Sequence, residues 1–162
     1  MLKRNTIKSL LQKGLLSEID IQFAKFISGL SPDNDPHIFL AAALVSHTTA
    51  SGNICLNLEK TAGNLLAGTP EDQEYFECPQ LDVWLEKLKT HPAVGRPGEK
   101  CPLILDAKNR FYLYRYWDYE NTLSKSIEKR ICINIADLDF QRLKHSLDRL
   151  FPKSKLPGVN WQ

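Results

Sequence analysis

From Ile38 to Val45 the chain runs Ile-Phe-Leu-Ala-Ala-Ala-Leu-Val, without a single polar side chain. A helix built from this run is apolar on nearly every side, and such a helix is stable only where neighbouring elements cover it all round. Its Ala and Leu content favours helix. The run is far too short to cross a bilayer, whose hydrocarbon core needs about 20 apolar residues. It therefore predicts a central, buried helix with the rest of the chain packed around it.

That remainder is suited to the task. With 162 residues, 43% of them hydrophobic and 25% charged, the chain matches one globular domain with room for a small appendage. The formal charge of +2 gives no global field that would draw nucleic acid, so any DNA contact has to come from a local patch. Met1 is followed by Leu-Lys-Arg-Asn-Thr, with no apolar stretch of signal-peptide length behind it. The expectation is a soluble intracellular protein with no membrane partner. Cys55, Cys78, Cys101 and Cys132 lie far apart, form no C-x-x-C pair and have no histidine at zinc-finger spacing. They read as reduced, mostly buried thiols, and no metal site is expected.

Helical signals fill the first half. Leu2, Ile7, Leu10 and Leu11 suggest a short amphipathic helix closed by Gly14. Ser17 and Asp20 resemble a capping box, ahead of Ile19, Phe23, Phe26, Ile27 and Leu30 at helical spacing. Asp35-Pro36 suits the N-cap and first turn of the central helix, and Thr48 to Asn53 suits a turn after it. Ile54 to Leu58 reads as a short strand, and Thr61 to Ala67 as a helical segment weakened by Gly63. Leu81, Trp84, Leu85 and Leu88 sit at i, i+3, i+4 and i+7, which predicts a firmer helix. Prolines and glycines between His91 and Pro102 read as an exposed loop.

The clearest β signal follows. Leu103 to Leu105 and Phe111 to Trp117, joined by Asp106-Ala107-Lys108-Asn109-Arg110, predict an aromatic hairpin. Asp118 is placed to cap a helix carrying Leu123, Ile127 and Ile131 on one face, with Ile131, Ile133 and Ile135 also alternating as in a strand. Asp137 caps a last helix lined by Phe140, Leu143, Leu147 and Leu150 and ended by Pro152. The predicted fold is α+β and mostly helical, with a few short antiparallel strands. A winged-helix-like arrangement is one that this order allows.

Catalytic signatures are missing. Gly95-Arg96-Pro97-Gly98-Glu99-Lys100-Cys101 has a P-loop's glycines, but Glu99 separates Gly98 from Lys100 and Cys101 stands where the magnesium-binding hydroxyl belongs. Acidic residues cluster at Glu71 to Glu77 and Asp137 to Asp139, which read as a solvated loop and a helix start rather than a nuclease's converging carboxylates. His47, at the end of the buried helix, reads as structural. No catalytic residue is assigned. The best ligand-facing candidates are Arg110, Tyr112, Tyr114, Arg115, Tyr116 and Trp117. They suit stacking on bases with arginines on phosphates, and equally a protein interface, or else simple packing of one hairpin face on the helices.

Four blocks, in order, resemble the RecD family of exodeoxyribonuclease V subunits. They are Asp20-Ile21-Gln22-Phe23-Ala24; Ala41 to His47 continuing through Gly52 to Leu56; Pro102 to Leu105 with Phe111 to Trp117; and Leu147 to Pro152 followed by Val159-Asn160-Trp161-Gln162. The resemblance implies an N-terminal RecC-docking domain over residues 1–158, with residues 159–162 opening a helicase motor that the chain stops short of. Gln162 matches the Q-motif glutamine that helps recognise adenine, in an incomplete pocket. No cofactor is expected in this chain, and ATP with Mg2+ is expected in the full-length parent. That parent is, by resemblance, a 5′-to-3′ DNA helicase acting in double-strand-break repair in the bacterial cytoplasm. Its implied partners are RecC directly, RecB in the same heterotrimer, and DNA through the whole complex. Direct DNA binding by the hairpin stands as the alternative.

Overall fold

The structure, a computed structural model, describes residues 14–67, 76–132 and 139–151. In chain order its elements are α1 (Glu18–Ser28), α2 (Pro36–Ala50), β1 (Leu56–Asn57), α3 (Leu58–Thr61), β2 (Leu65–Ala67), β3 (Phe76–Glu77), α4 (Leu81–Thr90), β4 (Val94–Gly95), β5 (Leu103–Leu105), β6 (Arg110–Leu113), α5 (Tyr114–Ile131) and α6 (Phe140–Leu150). The chain divides into two compact units, Met1–Leu123 and Ser124–Gln162. The fold is mostly helical α+β, as the sequence predicts.

The apolar run forms the middle of α2, where Ile38, Leu40, Ala41, Ala42, Ala43, Leu44 and Val45 are all buried. Asp35 caps this helix by accepting the His37 amide at 2.8 Å, with Pro36 in the first turn. Helix α1 packs along α2, and α4, β1 and β6 close the other sides. The Ser17–Asp20 capping box is present in full. The buried side of α1 is Asp20, Ile21, Ala24, Ile27 and Ser28, whereas Ile19 and Phe26 are exposed. Apolar spacing alone puts the latter two inward. The Asp20 carboxylate, bonded to Ser46 of α2 at 2.6 Å, goes inward with Ile21 and leaves Ile19 and Phe26 outside.

The main sheet has the order β1-β6-β5-β4. Strands β1 and β5 flank β6 antiparallel, while β4 runs parallel to β5, a pairing the expectation of antiparallel strands did not include. The β5–β6 hairpin lies at the centre of this sheet, rather than projecting from it as a wing does. Asp106 organises its turn by accepting the Lys108 and Arg110 amides, each at 2.9 Å. Strands β2 and β3 make a separate antiparallel pair.

Other expectations are corrected. The aromatic strand ends at Leu113, and Tyr114 to Trp117 form the first turn of α5 instead. Leu113 pairs with Leu103, and the residue before Leu103 is Pro102, which has no amide to donate. The Tyr114 amide takes the Pro102 carbonyl at 3.0 Å, and the ladder has no further partner. Asp118 is consequently inside α5 and caps nothing. The segment after Ile54 holds a two-residue strand and α3, and the expected helix over Thr61 to Ala67 is instead the end of α3 followed by β2. Asn57 caps α3 through the Lys60 amide, and Gly63, at φ +68, breaks the helical path. Helix α2 reaches Ala50, which shortens the expected turn. The expected helix over Leu2 to Leu11, most of the acidic Glu71 to Glu77 segment, the alternation at Ile133 and Ile135, the Asp137 cap and Gln162 lie outside the described residues. Asp139 caps α6, accepting the Arg142 amide at 3.0 Å.

The span from His91 to Pro102 is not simply an exposed loop. It contains β4, and His91, Ala93 and Gly95 are buried. Arg96-Pro97-Gly98-Glu99 makes a tight turn, closed by the Glu99 amide on the Arg96 carbonyl at 3.0 Å, with Gly98 at φ +97. A Cβ on Gly95 would lie 2.8 Å from both Cβ and Sγ of Cys101. Gly95→Ala is therefore expected to overpack this corner and cost about 1–3 kcal/mol. Urea unfolding checks it; a change within error would mean that the backbone at Cys101 gives way.

Candidate functional site

The six aromatic and basic candidates divide between β6 and the start of α5. Arg110 is committed to the hairpin turn. Its Nε and Nη2 each lie 2.7 Å from Asp106 Oδ2, and its guanidinium sits 5.6 Å from the Tyr112 ring centre. Tyr112 is fully buried. Burial pushes its phenol well above the ordinary tyrosine value, so it stays neutral beside Cys55, whose thiol is also raised by burial. Tyr112 has almost no surface to offer a ligand, whereas the Arg110 side chain stays half-exposed.

Tyr114, Tyr116 and Trp117 are half-buried, while Arg115 and Tyr119 are exposed. Arg115 donates from Nε to the Tyr119 hydroxyl at 3.1 Å. Its guanidinium carbon lies 5.9 Å from the Tyr116 ring centre and 5.5 Å from that of Tyr119. The two tyrosine rings meet edge to face, 6.4 Å apart, and Tyr114 and Trp117 lie 6.3 Å apart. The helix makes the Arg115–Tyr119, Tyr116–Tyr119 and Tyr114–Trp117 contacts because residues three and four positions apart share a face. Tyr119 was missed in the sequence for that reason: with Arg115 read on a strand and Tyr119 in the helix after Asp118 the two have no relation, whereas on one helix Tyr119 is the i+4 neighbour of Arg115. The result is an aromatic surface with one cation placed across two rings. Such side chains dominate the centres of protein interfaces.

The glycine-containing turn is no phosphate cradle. The Arg96 amide, which a phosphate would need, is occupied by Glu99 Oε2 at 2.7 Å. The turn borders a cleft of about 520 Å³, where Lys89 and Arg96 are offset by Glu99 and Asp106. The turn thus leaves no free Arg96 amide for the phosphates of ATP. Among the described residues no three His, Cys, Asp or Glu side chains are grouped to hold a metal ion. Their helices include none long and apolar enough to cross a membrane. All four cysteines are free thiols, but only Cys78 is buried, with its pKa pushed up to about 12 by burial. His47 is half-exposed, with Nδ1 3.4 Å from Asp20 Oδ2.

A family model described as the N-terminal domain of the RecBCD enzyme subunit RecD matches residues 12–112. The chain belongs to the RecD N-terminal domain family. The RecD match takes in α1 through almost all of β6 and stops just before α5. The chain is 25% identical over 158 residues to the RecBCD enzyme subunit RecD of Buchnera aphidicola subsp. Schizaphis graminum, covering 89% of this chain and 25% of that protein. With the RecD subunit of Mycolicibacterium smegmatis it shares 29% identity over 103 residues, covering 64% of this chain and 17% of the relative. The chain thus spans a quarter or less of the length of these relatives.

Proposed function

We propose that this chain is the interaction domain of a RecD-like subunit, and that it seats an ATP- and Mg2+-dependent 5′-to-3′ DNA helicase motor on RecC. The parent enzyme would be exodeoxyribonuclease V, with RecB in the same heterotrimer, at work on broken DNA ends in the bacterial cytoplasm. On this reading the 162 residues carry no catalysis of their own. The observation that carries the proposal is the Arg115–Tyr116–Tyr119 surface of α5, in a chain whose preceding residues match the RecD N-terminal domain. The arginine is already paired with aromatic rings, an arrangement that presents large, pre-ordered contact area to a protein partner.

Mixing the chain with RecC at moderate salt, without DNA, is expected to give a complex on size-exclusion chromatography. Tyr116→Ala together with Tyr119→Ala should weaken that complex at least about tenfold, as loss of interface hot spots does. Because Tyr119 is exposed and Tyr116 only half-buried, the unfolding midpoint should move little. Full-strength binding by the folded double variant would remove α5 from the interface. Tight binding to DNA ends that falls steeply with salt, in the absence of RecC binding, would favour the DNA-binding reading.

A further inference from the structure

Helix α6 carries Phe140, Leu143, Leu147 and Leu150 at i, i+3, i+7 and i+10, and all four are between 41% and 75% exposed. On a helical wheel they fill one stripe about 80° wide, the pattern of a surface helix that faces a protein core. Arg142, His145 and Arg149 occupy the other side. At 11 residues α6 is shorter than helices that hold together unaided in water, about 12–15 residues even in favourable sequences. Its stability has to come from whatever covers the apolar stripe.

We infer that the occupant is the part of a RecD-like chain that follows the N-terminal domain, so that α6 clasps the domain's own motor. The family match ends at residue 112 and the first compact unit at Leu123, so α6 lies past both boundaries. The similarity to the Buchnera RecD nevertheless covers 89% of the chain, too much to end before Phe140. It accounts for only 25% of that protein, in which an N-terminal domain is followed by a much larger remainder. The charge agrees with this assignment. DNA would engage Arg142 and Arg149, which lie away from the apolar stripe, whereas a protein core takes the stripe and leaves the guanidinium groups in water. The inference rests on the reading that these residues lead a RecD-like motor chain.

Leu143→Asp combined with Leu147→Asp, made both in the full-length chain and in the 162-residue chain, tests it. In the full-length chain the pair is expected to lower the urea midpoint and to speed tryptic release of the N-terminal domain about tenfold or more, with RecC binding retained. The 162-residue chain should show an unchanged midpoint. Equal destabilisation of the 162-residue chain would mean that α6 packs on its own residues, and overturns the inference. Loss of RecC binding with unchanged full-length stability would assign the stripe to RecC, and no change in any readout would leave it uncovered; either result overturns it too. The docking reading fails by a separate result, absence of RecC binding by the unaltered chain, so the two cannot be confused.

Discussion

Replacing Trp84 with alanine is expected to cost about 3–5 kcal/mol, the range for emptying a buried tryptophan site. Trp84 is fully buried on α4 and donates its indole N–H to the His37 carbonyl, 2.9 Å away on the first turn of α2. Removing the side chain opens a void against the helix that organises the core, and leaves a carbonyl without its cross-helix partner. Single domains are stable by only about 5–15 kcal/mol, so the loss takes a large part of the total. Trp84→Phe keeps most of the ring contacts and gives up the hydrogen bond, for which about 1 kcal/mol is expected. Urea unfolding of the two variants separates packing from hydrogen bonding. Equal losses would mean that the bond, not the ring, dominates. A loss under about 1 kcal/mol for the alanine variant would show that α4 closes onto α2 without it.

The features that position Trp84 were legible in the chain because they are local. The i, i+3, i+4, i+7 spacing of Leu81, Trp84, Leu85 and Leu88 belongs to one helix, and the run from Ile38 to Val45 admits only a buried one. Asp35 accepts an amide two residues on, and Ser17 and Asp20 close a box within one turn. What was misread depends on distant residues. Tyr114 to Trp117 has the composition of a strand, and only the register of β6 against β5, with Pro102 at its end, shows why pairing stops. The candidate site moved with it: Tyr112 went into the fold, Arg110 was engaged by the hairpin turn at a half-exposed position, and Tyr119 came in through helical spacing. Likewise β4 was hidden among prolines and glycines, since a two-residue strand paired in parallel leaves no alternation to read. The facing of α1 was decided by one buried carboxylate, which apolar periodicity counts as a surface residue.

That carboxylate supports the second large effect: Asp20→Ala is expected to destabilise the chain by about 3–5 kcal/mol at neutral pH, as breaking a buried charged network does. Asp20 is fully buried, yet every side of its carboxylate is engaged. Oδ2 accepts the Ser17 amide at 2.8 Å and the Ser17 hydroxyl at 2.7 Å, Oδ1 accepts the Ser46 hydroxyl at 2.6 Å, and His47 Nδ1 lies 3.4 Å from Oδ2. The group therefore caps α1 and ties it to α2 at once. Burial works to raise its pKa, but the hydrogen bonds from Ser46 and Ser17, with the charge of His47, outweigh burial and hold it below the ordinary value of 3.8. A carboxyl with a lowered folded pKa contributes its stability in full above the unfolded value, and loses it as pH falls through the folded one. The gap between native and Asp20→Ala chains should thus be constant from neutral pH down to about 4, and should narrow below that. Asp20→Asn retains the shape and can keep its oxygen toward the Ser17 donors with its amide toward the Ser46 hydroxyl, so it gives up the charge and should lose less than Asp20→Ala. Urea titrations of all three chains at pH 7, 5 and 3 read this directly. A gap that stays the same at pH 3 would mean that the charge on Asp20 contributes nothing, and that the α1–α2 packing holds by shape alone.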